Sequence, residues 1–248
     1  MKLLHKTVVF IISFSALFRF IRISEYYNTK ILLADLGGIP WLYSTIGLIF
    51  GVIAAFAIQK EWDKWNNLVE AVKSEVASLE EMWLWAEHFP DKIKEKTQKI
   101  IVDYLQVNIK EGWKDAEKGE RNEKIEGFLS LLREELFKIA QKEFSLLSTS
   151  LMVFSDLLKH HKTRLHYSSQ HMPFILRNTL IFAMILLVFL SFLIGIKNVW
   201  LDYIFTLSIA TLAYAVYLVI DDLDHPLRPG GWHLTAKDYE ELLNRIRG

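Results

Sequence analysis

The sequence predicts an all-α, polytopic membrane protein with four transmembrane helices and a helical cytosolic domain inserted between helices two and three. Apolar residues make up 52% of the 248 positions and charged residues 23%, and the two groups lie in different stretches. Only five prolines and eleven glycines are present, too few for a turn-rich all-β fold. The aromatic-rich composition excludes global disorder, because so much apolar surface cannot stay solvated.

Three uncharged runs predict membrane helices. Residues 41–58 would form a helix about 27 Å long, close to the thickness of the hydrocarbon core. Residues 180–196 and 203–220 are separated by a short polar link, so they predict an antiparallel transmembrane hairpin within residues 174–220. Aromatic rings at the ends of the runs favour the headgroup level of a bilayer. These runs account for three of the four predicted spans.

The N-terminus supports two interpretations. Residues 7–18 form an uncharged core that is shorter than a usual span and follows a basic start. A cleaved signal peptide has the same two features. No small-x-small cleavage site follows the core, however, and two arginines come directly after it. We therefore interpret residues 1–22 as the first transmembrane helix, so that residues 1–59 hold helices one and two, and a cleaved signal is the alternative.

The middle of the chain, residues 60–173, predicts a helical cytosolic domain. Neither glycine nor proline occurs between Val52 and Phe89, so the second span can continue beyond the membrane as one helix. Its aqueous part repeats apolar residues at helical spacing, which indicates a face packed against partner helices. These residues are Trp62, Trp65, Val69, Val72, Val76, Leu79 and Met82.

The two chain termini and the middle domain share one side of the membrane if the protein has four spans. The basic residues near the termini place that side in the cytosol, which predicts a multi-pass protein of the cell membrane with cytosolic N- and C-termini. Residues 221–248 form the C-terminal tail, which contains a turn and then a short amphipathic helix.

Signals for enzyme chemistry are sparse. The sequence has no phosphate-binding loop, no dinucleotide-binding glycine pattern and no His-Glu-x-x-His or Gly-x-Ser-x-Gly motif. Because it lacks cysteine, it has no disulfide or thiolate metal site. Its 29 basic and 29 acidic residues exclude a strongly basic nucleic-acid binder. We predict neither an enzyme nor a bound cofactor.

An acidic cluster follows the last span and consists of Asp221, Asp222 and Asp224. Hard carboxylate oxygens can bind a divalent cation. The same side chains can instead cap the turn of the tail or pair with Arg228. Because the cluster lacks a twelve-residue calcium-loop pattern, we favour the structural role and predict no metal site.

Two faces of the second span carry the candidate functional residues. One is a ridge of small residues that allows close approach between helices. It consists of Gly47, Gly51 and Ala55. The other face is larger and apolar, and would form a hydrophobic constriction if several copies surround an axis. It consists of Ile46, Phe50, Ile53 and Ala57. The sequence leaves equally open that this second face contacts lipid or the other spans.

Several different short motifs follow one another between about residue 35 and residue 246. They are Phe56, Trp62, residues 75–79 (EVASL), 88–90 (HFP), 104–105 (YL), 111–113 (EGW), Arg164 and 172–173 (MP). The most specific motif is LDHPLRPG at residues 223–230, in which Asp224, Pro226 and Gly230 form the tail motif. In this order the motifs resemble the bestrophin-like domain family, which is distantly related to bestrophin anion channels. The sequence departs from the family pattern at three points: a glycine is inserted between Glu111 and Trp113, Leu227 replaces the family's aromatic residue, and an extra residue precedes Gly230.

The resemblance implies a homo-oligomer, with a pentamer as the suggested stoichiometry, around an axial pore lined by the second helix. The implied partners are the lipid bilayer, further copies of the chain and inorganic anions. We therefore predict an oligomeric anion channel with its constriction on the second span. The alternative is a membrane-anchored helical scaffold whose tryptophans Trp62, Trp65 and Trp83 bind a cytosolic partner.

Overall fold

The computed structural model describes residues 2–23, 38–118, 120–140, 144–194, 196 and 198–247. Within these ranges the chain forms α-helices and one π-helical segment, with no β-strand. In chain order they are α1 (Lys2–Ile23), α2 (Ile39–Ala86), α3 (Asp91–Val107), the π-helical segment (Asn108–Gly112), α4 (Trp113–Lys118), α5 (Glu123–Ala140), α6 (Phe144–Ser169), α7 (Phe174–Ile194), α8 (Val199–Asp224) and α9 (Lys237–Arg247). The predicted all-α class is confirmed for this part of the chain.

The chain divides into two compact units. The first, here called the spanning unit, comprises Met1–Trp62, Met172–Asp224 and Gly230–Trp232. The second, here called the central unit, comprises Asp63–His171, His225–Pro229 and His233–Gly248. Helix α2 contributes residues to both units, because it continues without a break past Lys60. The prediction that the second span continues as one long helix is therefore confirmed.

Among the described residues, three helical segments are long and apolar enough to cross a membrane. They are Pro40–Ala86, Ser148–Ile194 and Val199–Asp224. Each corresponds to one of the uncharged runs found in the sequence, and we take residues 41–58 as the membrane-spanning part of α2. Helix α1 is not among these three segments, so a fourth span stays a prediction.

The core of the spanning unit forms where α2 packs with α7 and α8. Phe50, Ala54 and Ala57 of α2 share this core with Leu187 of α7 and Ala213 of α8. Small side chains at helix contacts let backbones approach closely, which is the main source of stability between helices in lipid.

Helix α1 packs along α8 through aromatic side chains. The rings of Phe10 and Tyr214 stack with their centroids 4.1 Å apart. Those of Phe18 and Tyr203 meet edge to face at 5.2 Å, and the hydroxyls of Ser15 and Tyr203 lie 2.7 Å apart. Because the later residue of α1 meets the earlier residue of α8, the two helices run antiparallel.

The central unit has an apolar core shared by α2, α3, α5, α6 and α9. From Val72 to Met82, the predicted apolar stripe of α2 is buried in this core. Nearer the membrane the stripe is less covered, since Trp65 and Val69 are half-buried and Trp62 is exposed. The spacing of apolar residues therefore predicted the packed face of α2 correctly from Val72 to Met82.

The glycine inserted between Glu111 and Trp113 lies in the π-helical segment. A π-helix pairs each carbonyl with the N–H five residues on, so it accommodates one more residue per turn than an α-helix. A Cβ on Gly112 would lie 2.6 Å from both Asn108 Oδ1 and Ile125 Cδ1. Only glycine fits at this position without displacing its neighbours.

Candidate functional site

The predicted constriction residues of α2 lie on the side that packs against other helices of the same protomer. Phe50 is 7% exposed and Ala57 0%, and both belong to the core of the spanning unit. Ile46 and Ile53 are half-buried and pack against the same core. The structure thus brings all four residues together inside one protomer. Their predicted role in lining an axial path is not tested by a single chain and stays a prediction.

The opposite side of α2 is uncovered and also apolar. Leu48, Val52 and Phe56 recur every four residues and are 69%, 64% and 64% exposed. Four-residue steps rotate by only about 40° around a helix, so these side chains form one stripe. We call this stripe the uncovered face of α2. The uncovered face and the packed face both belong to residues 41–58. The packed face is the one proposed from the sequence as the constriction.

The ridge of small residues is divided between the two sides of the helix. A Cβ on Gly47 would lie 3.6 Å from Leu187 Cδ1, so Gly47 faces α7. A Cβ on Gly51 would meet nothing within 4 Å, and both Gly51 and Ala55 are exposed beside the uncovered face. Within one protomer the ridge is therefore only partly used for packing, and its free part is available to another molecule.

Each aspartate of the acidic cluster has a structural partner in the spanning unit. Asp221 Oδ1 accepts a hydrogen bond from Arg177 Nη2 at 2.9 Å. Asp224 is buried, and its Oδ1 accepts the backbone N–H of Met172 at 2.7 Å, directly before α7. These contacts tie the end of α8 to the start of α7.

Asp222 holds the turn of the tail. Its Oδ2 accepts the backbone N–H groups of Gly231 at 2.7 Å and Trp232 at 3.0 Å. A Cβ on Gly230 would collide with Asp222 Oδ1, so glycine is required here by close approach rather than by a ligand. Of the other tail-motif residues, Asp224 anchors α7 as described above, and Pro226 accepts the N–H of Leu234 at 2.8 Å through its carbonyl.

A buried charged cluster lies in the central unit, outside the membrane-spanning segments. Arg164 Nε of α6 donates to Glu75 Oε2 of α2 at 2.6 Å, and both side chains are buried. The hydroxyl of Tyr104, on α3, donates to Glu75 Oε1 and lies 2.9 Å from His161 Nδ1. This cluster, here called the Glu75 cluster, joins three helices through one carboxylate.

The electrostatics of the Glu75 cluster favour the ionised carboxylate. Burial alone would raise the pKa of Glu75, but the charge of Arg164 and hydrogen bonds from His161 and Arg164 lower it to about 2. Burial raises the pKa of the Tyr104 phenol, so its hydroxyl stays protonated and can donate. Sequence reasoning noted Glu75, Tyr104 and Arg164 in separate motifs but did not pair them, because 89 residues separate Glu75 from Arg164.

Comparison with known proteins places the chain among bestrophin-like sequences. The sequence model of the Bestrophin-like domain matches residues 39–228. The fold is similar to crystal structures of a bacterial bestrophin homologue from Klebsiella pneumoniae. One variant of that homologue has a TM-score of 0.78 and 11% identity, covering 97% of this chain and 99% of the other.

A second variant of that homologue has a TM-score of 0.77 and 10% identity, covering 96% of this chain and 97% of the other. A further structure, described only as a membrane protein, has the same TM-score of 0.77 at 10% identity over 96% of this chain. At these identities the likeness shows a shared fold. No curated protein matches the sequence.

Proposed function

Because the chain belongs to the bestrophin-like domain family of all-helical membrane proteins, we propose that it is an oligomeric channel that passes anions through an axial pore. The family relationship implies self-association and anion conduction, and a pentamer is the proposed stoichiometry. The observation that carries the proposal is the uncovered face of α2, an apolar stripe along the predicted span whose opposite side is already packed.

The uncovered face supports a position for the constriction. A helix that packs its other side on α7 and α8 can present Leu48, Val52 and Phe56 to a central axis. Rings of such apolar side chains form constrictions that gate by dewetting. Gly51 and Ala55 lie beside the stripe and would let neighbouring copies of α2 approach closely.

The face first identified in the sequence, with Ile46, Phe50, Ile53 and Ala57, is the competing proposal. For those residues to line a pore, Phe50 and Ala57 would have to leave the core of the spanning unit. That rearrangement exposes packed side chains without forming new contacts inside the protomer. We therefore propose Leu48, Val52 and Phe56 as the constriction and the other face as its structural support.

The proposed topology has four spans, with both termini in the cytosol. Helix α1 runs antiparallel to α8 and packs against it between Tyr203 and Tyr214, within a predicted span. This contact supports α1 as a membrane helix rather than a cleaved signal.

The scaffold alternative has less support. Trp83 packs against the core of the central unit, and the ring of Trp62 lies 6.2 Å from that of Trp232 in the spanning unit. Trp62 and Trp83, both proposed for partner binding, therefore already contact the chain itself.

Anion efflux from liposomes that contain the purified full-length protein tests the proposal. We expect Phe56→Ala to raise the flux several-fold, because a smaller apolar ring is easier to wet. Phe50→Ala is the matched control, with the same change on the packed face, and should leave the flux at or below that of the unmodified protein. A rise with Phe50→Ala alone would place the constriction on the competing face. No flux from any of the three proteins would overturn the channel proposal.

A further inference from the structure

A long apolar groove lies in the spanning unit between α1 and the α7–α8 pair. It has a volume of about 380 Å³. Its lining is aliphatic and aromatic, apart from the hydroxyl of Tyr214. The principal lining residues are Phe10, Phe14, Leu17, Val188, Phe189 and Phe192. Apart from that hydroxyl, the surface offers no hydrogen bond to a polar ligand, so it favours hydrocarbon.

A second depression, of about 400 Å³, adjoins the N-terminal end of the groove. Phe10 and Tyr214 line both, so the two lie side by side. His5 and Lys6 lie on the rim of the second depression, together with the hydroxyl of Ser13. The groove is therefore apolar along its length, and a lysine and a histidine line the depression beside its N-terminal end.

The helical spacing of α1 places Lys6 on the same side of the helix as the residues that line the groove. Lys6, Phe10 and Phe14 are spaced by four residues, so they lie on one side of α1. From Phe10 to Ile21 the groove follows eleven residues of helix, or about 16 Å. Counted from Lys6 to Ile21, the path follows fifteen residues of helix, or about 22 Å.

We propose that the groove binds an acyl chain of an anionic phospholipid, with the headgroup phosphate beside Lys6. The apolar lining matches the chain, and the charge of the lysine matches a negative headgroup. The stacked rings of Phe10 and Tyr214 form a rigid wall at the junction between the two parts. The proposal requires that α1 lies in the bilayer, but it does not depend on anion conduction.

Native mass spectrometry of the full-length protein, released from nanodiscs with equal amounts of phosphatidylglycerol and phosphatidylcholine of the same acyl chains, tests this site. We expect the unmodified protein to retain phosphatidylglycerol preferentially, and Lys6→Gln to reduce that preference about fivefold. Arg19→Gln is the matched control: it removes an exposed charge of α1 outside the groove and should leave the preference unchanged.

A second pair of variants tests the groove. Leu17→Trp fills it from an exposed position, whereas Ile12→Trp adds the same ring at an exposed position of α1 that does not line it. We expect Leu17→Trp to lower retention of both lipids and Ile12→Trp to have no effect, with both melting temperatures unchanged. Equal retention of the two lipids by the unmodified protein, or equal effects of the two tryptophans, would overturn the proposal. Loss of oligomers with lipid retention unchanged in Leu17→Trp would identify a second copy of the chain as the occupant, and would also overturn it.

Discussion

The spanning half of α2, residues 41–58, and its central half, residues 63–86, differ in what they leave uncovered. In the spanning half both sides are apolar, and Phe56 is as uncovered as a surface residue of a soluble protein. In the central half the exposed side chains include Lys73 and Glu81, while the buried charge of Glu75 is paired with Arg164. Polar residues therefore mark the exposed face of α2 only where water surrounds the helix. In the membrane both faces are apolar, so only packing against other helices distinguishes the buried face from the exposed one.

The largest effect is expected from breaking the buried pair of the central half. Glu75→Gln leaves the Arg164 guanidinium buried without its counter-charge, so the free energy of unfolding should fall by about 3–5 kcal/mol. Chemical unfolding of the purified protein in detergent measures this change. The control is Glu81→Gln, at an exposed position of the same helix, with an expected change below about 0.5 kcal/mol. Similar losses for both variants would show that burial of the charge is not what distinguishes the central half.

The pH dependence of stability should report the same pair. The pKa of Glu75 is about 2 in the folded protein, below its ordinary value of 4.5, so the unfolded chain binds the proton more readily. Its contribution is therefore fully present above about pH 4.5 and is lost as the pH falls towards 2, for a total of about 3 kcal/mol. The free energies of unfolding of the unmodified protein and of Glu75→Gln are compared from pH 6 to pH 3. Their difference isolates the contribution of Glu75 from that of the other carboxylates. The difference between the two proteins should shrink below pH 4.5, and a constant difference would contradict the pairing.

An intermediate effect is expected at the turn of the tail. Gly230→Ala places a Cβ against Asp222 Oδ1, so the carboxylate must move away from the N–H groups of Gly231 and Trp232. Loss of these hydrogen bonds should lower the free energy of unfolding by about 1–3 kcal/mol. Thermal unfolding in detergent measures it. A variant as stable as the unmodified protein would show that the turn is held by other contacts.

The smallest effect is expected on the uncovered face of the spanning half. Gly51→Ala adds a Cβ that meets nothing within 4 Å, so the protomer should keep or gain up to about 1 kcal/mol of stability from helix propensity. If neighbouring copies approach at Gly51, the same variant should weaken the oligomer. Size-exclusion chromatography with light scattering measures this separately from unfolding. A destabilised protomer would mean that the face is covered from within one chain.

Much of the fold followed from the sequence. Uncharged runs marked three membrane segments, and the absence of glycine and proline after Val52 predicted a continuous α2. The apolar period from Val72 to Met82 identified the packed face of the central half. These predictions succeeded because they rest on local properties of the chain: length, hydropathy, and the spacing of apolar residues against water.

The candidate site was less accessible from the sequence. Phe50 and Phe56 are equally apolar and both lie in the span, so no sequence signal ranks one face of α2 above the other. Their burial became known only when α7 and α8, more than 100 residues away along the chain, were seen to cover one side. The Glu75 cluster required the same long-range information.

The sequence by itself determined that this chain is helical, which segments suit a membrane and that α2 continues as one helix, because hydropathy and backbone freedom act over neighbouring residues. The tertiary structure decided which face of α2 stays uncovered and which residue forms the ion pair with Glu75. It also decided that the aspartates in the last turn of α8 accept hydrogen bonds from backbone N–H groups and from an arginine. Those outcomes depend on contacts between distant segments, and in lipid such contacts are chosen by shape and close packing rather than by polarity.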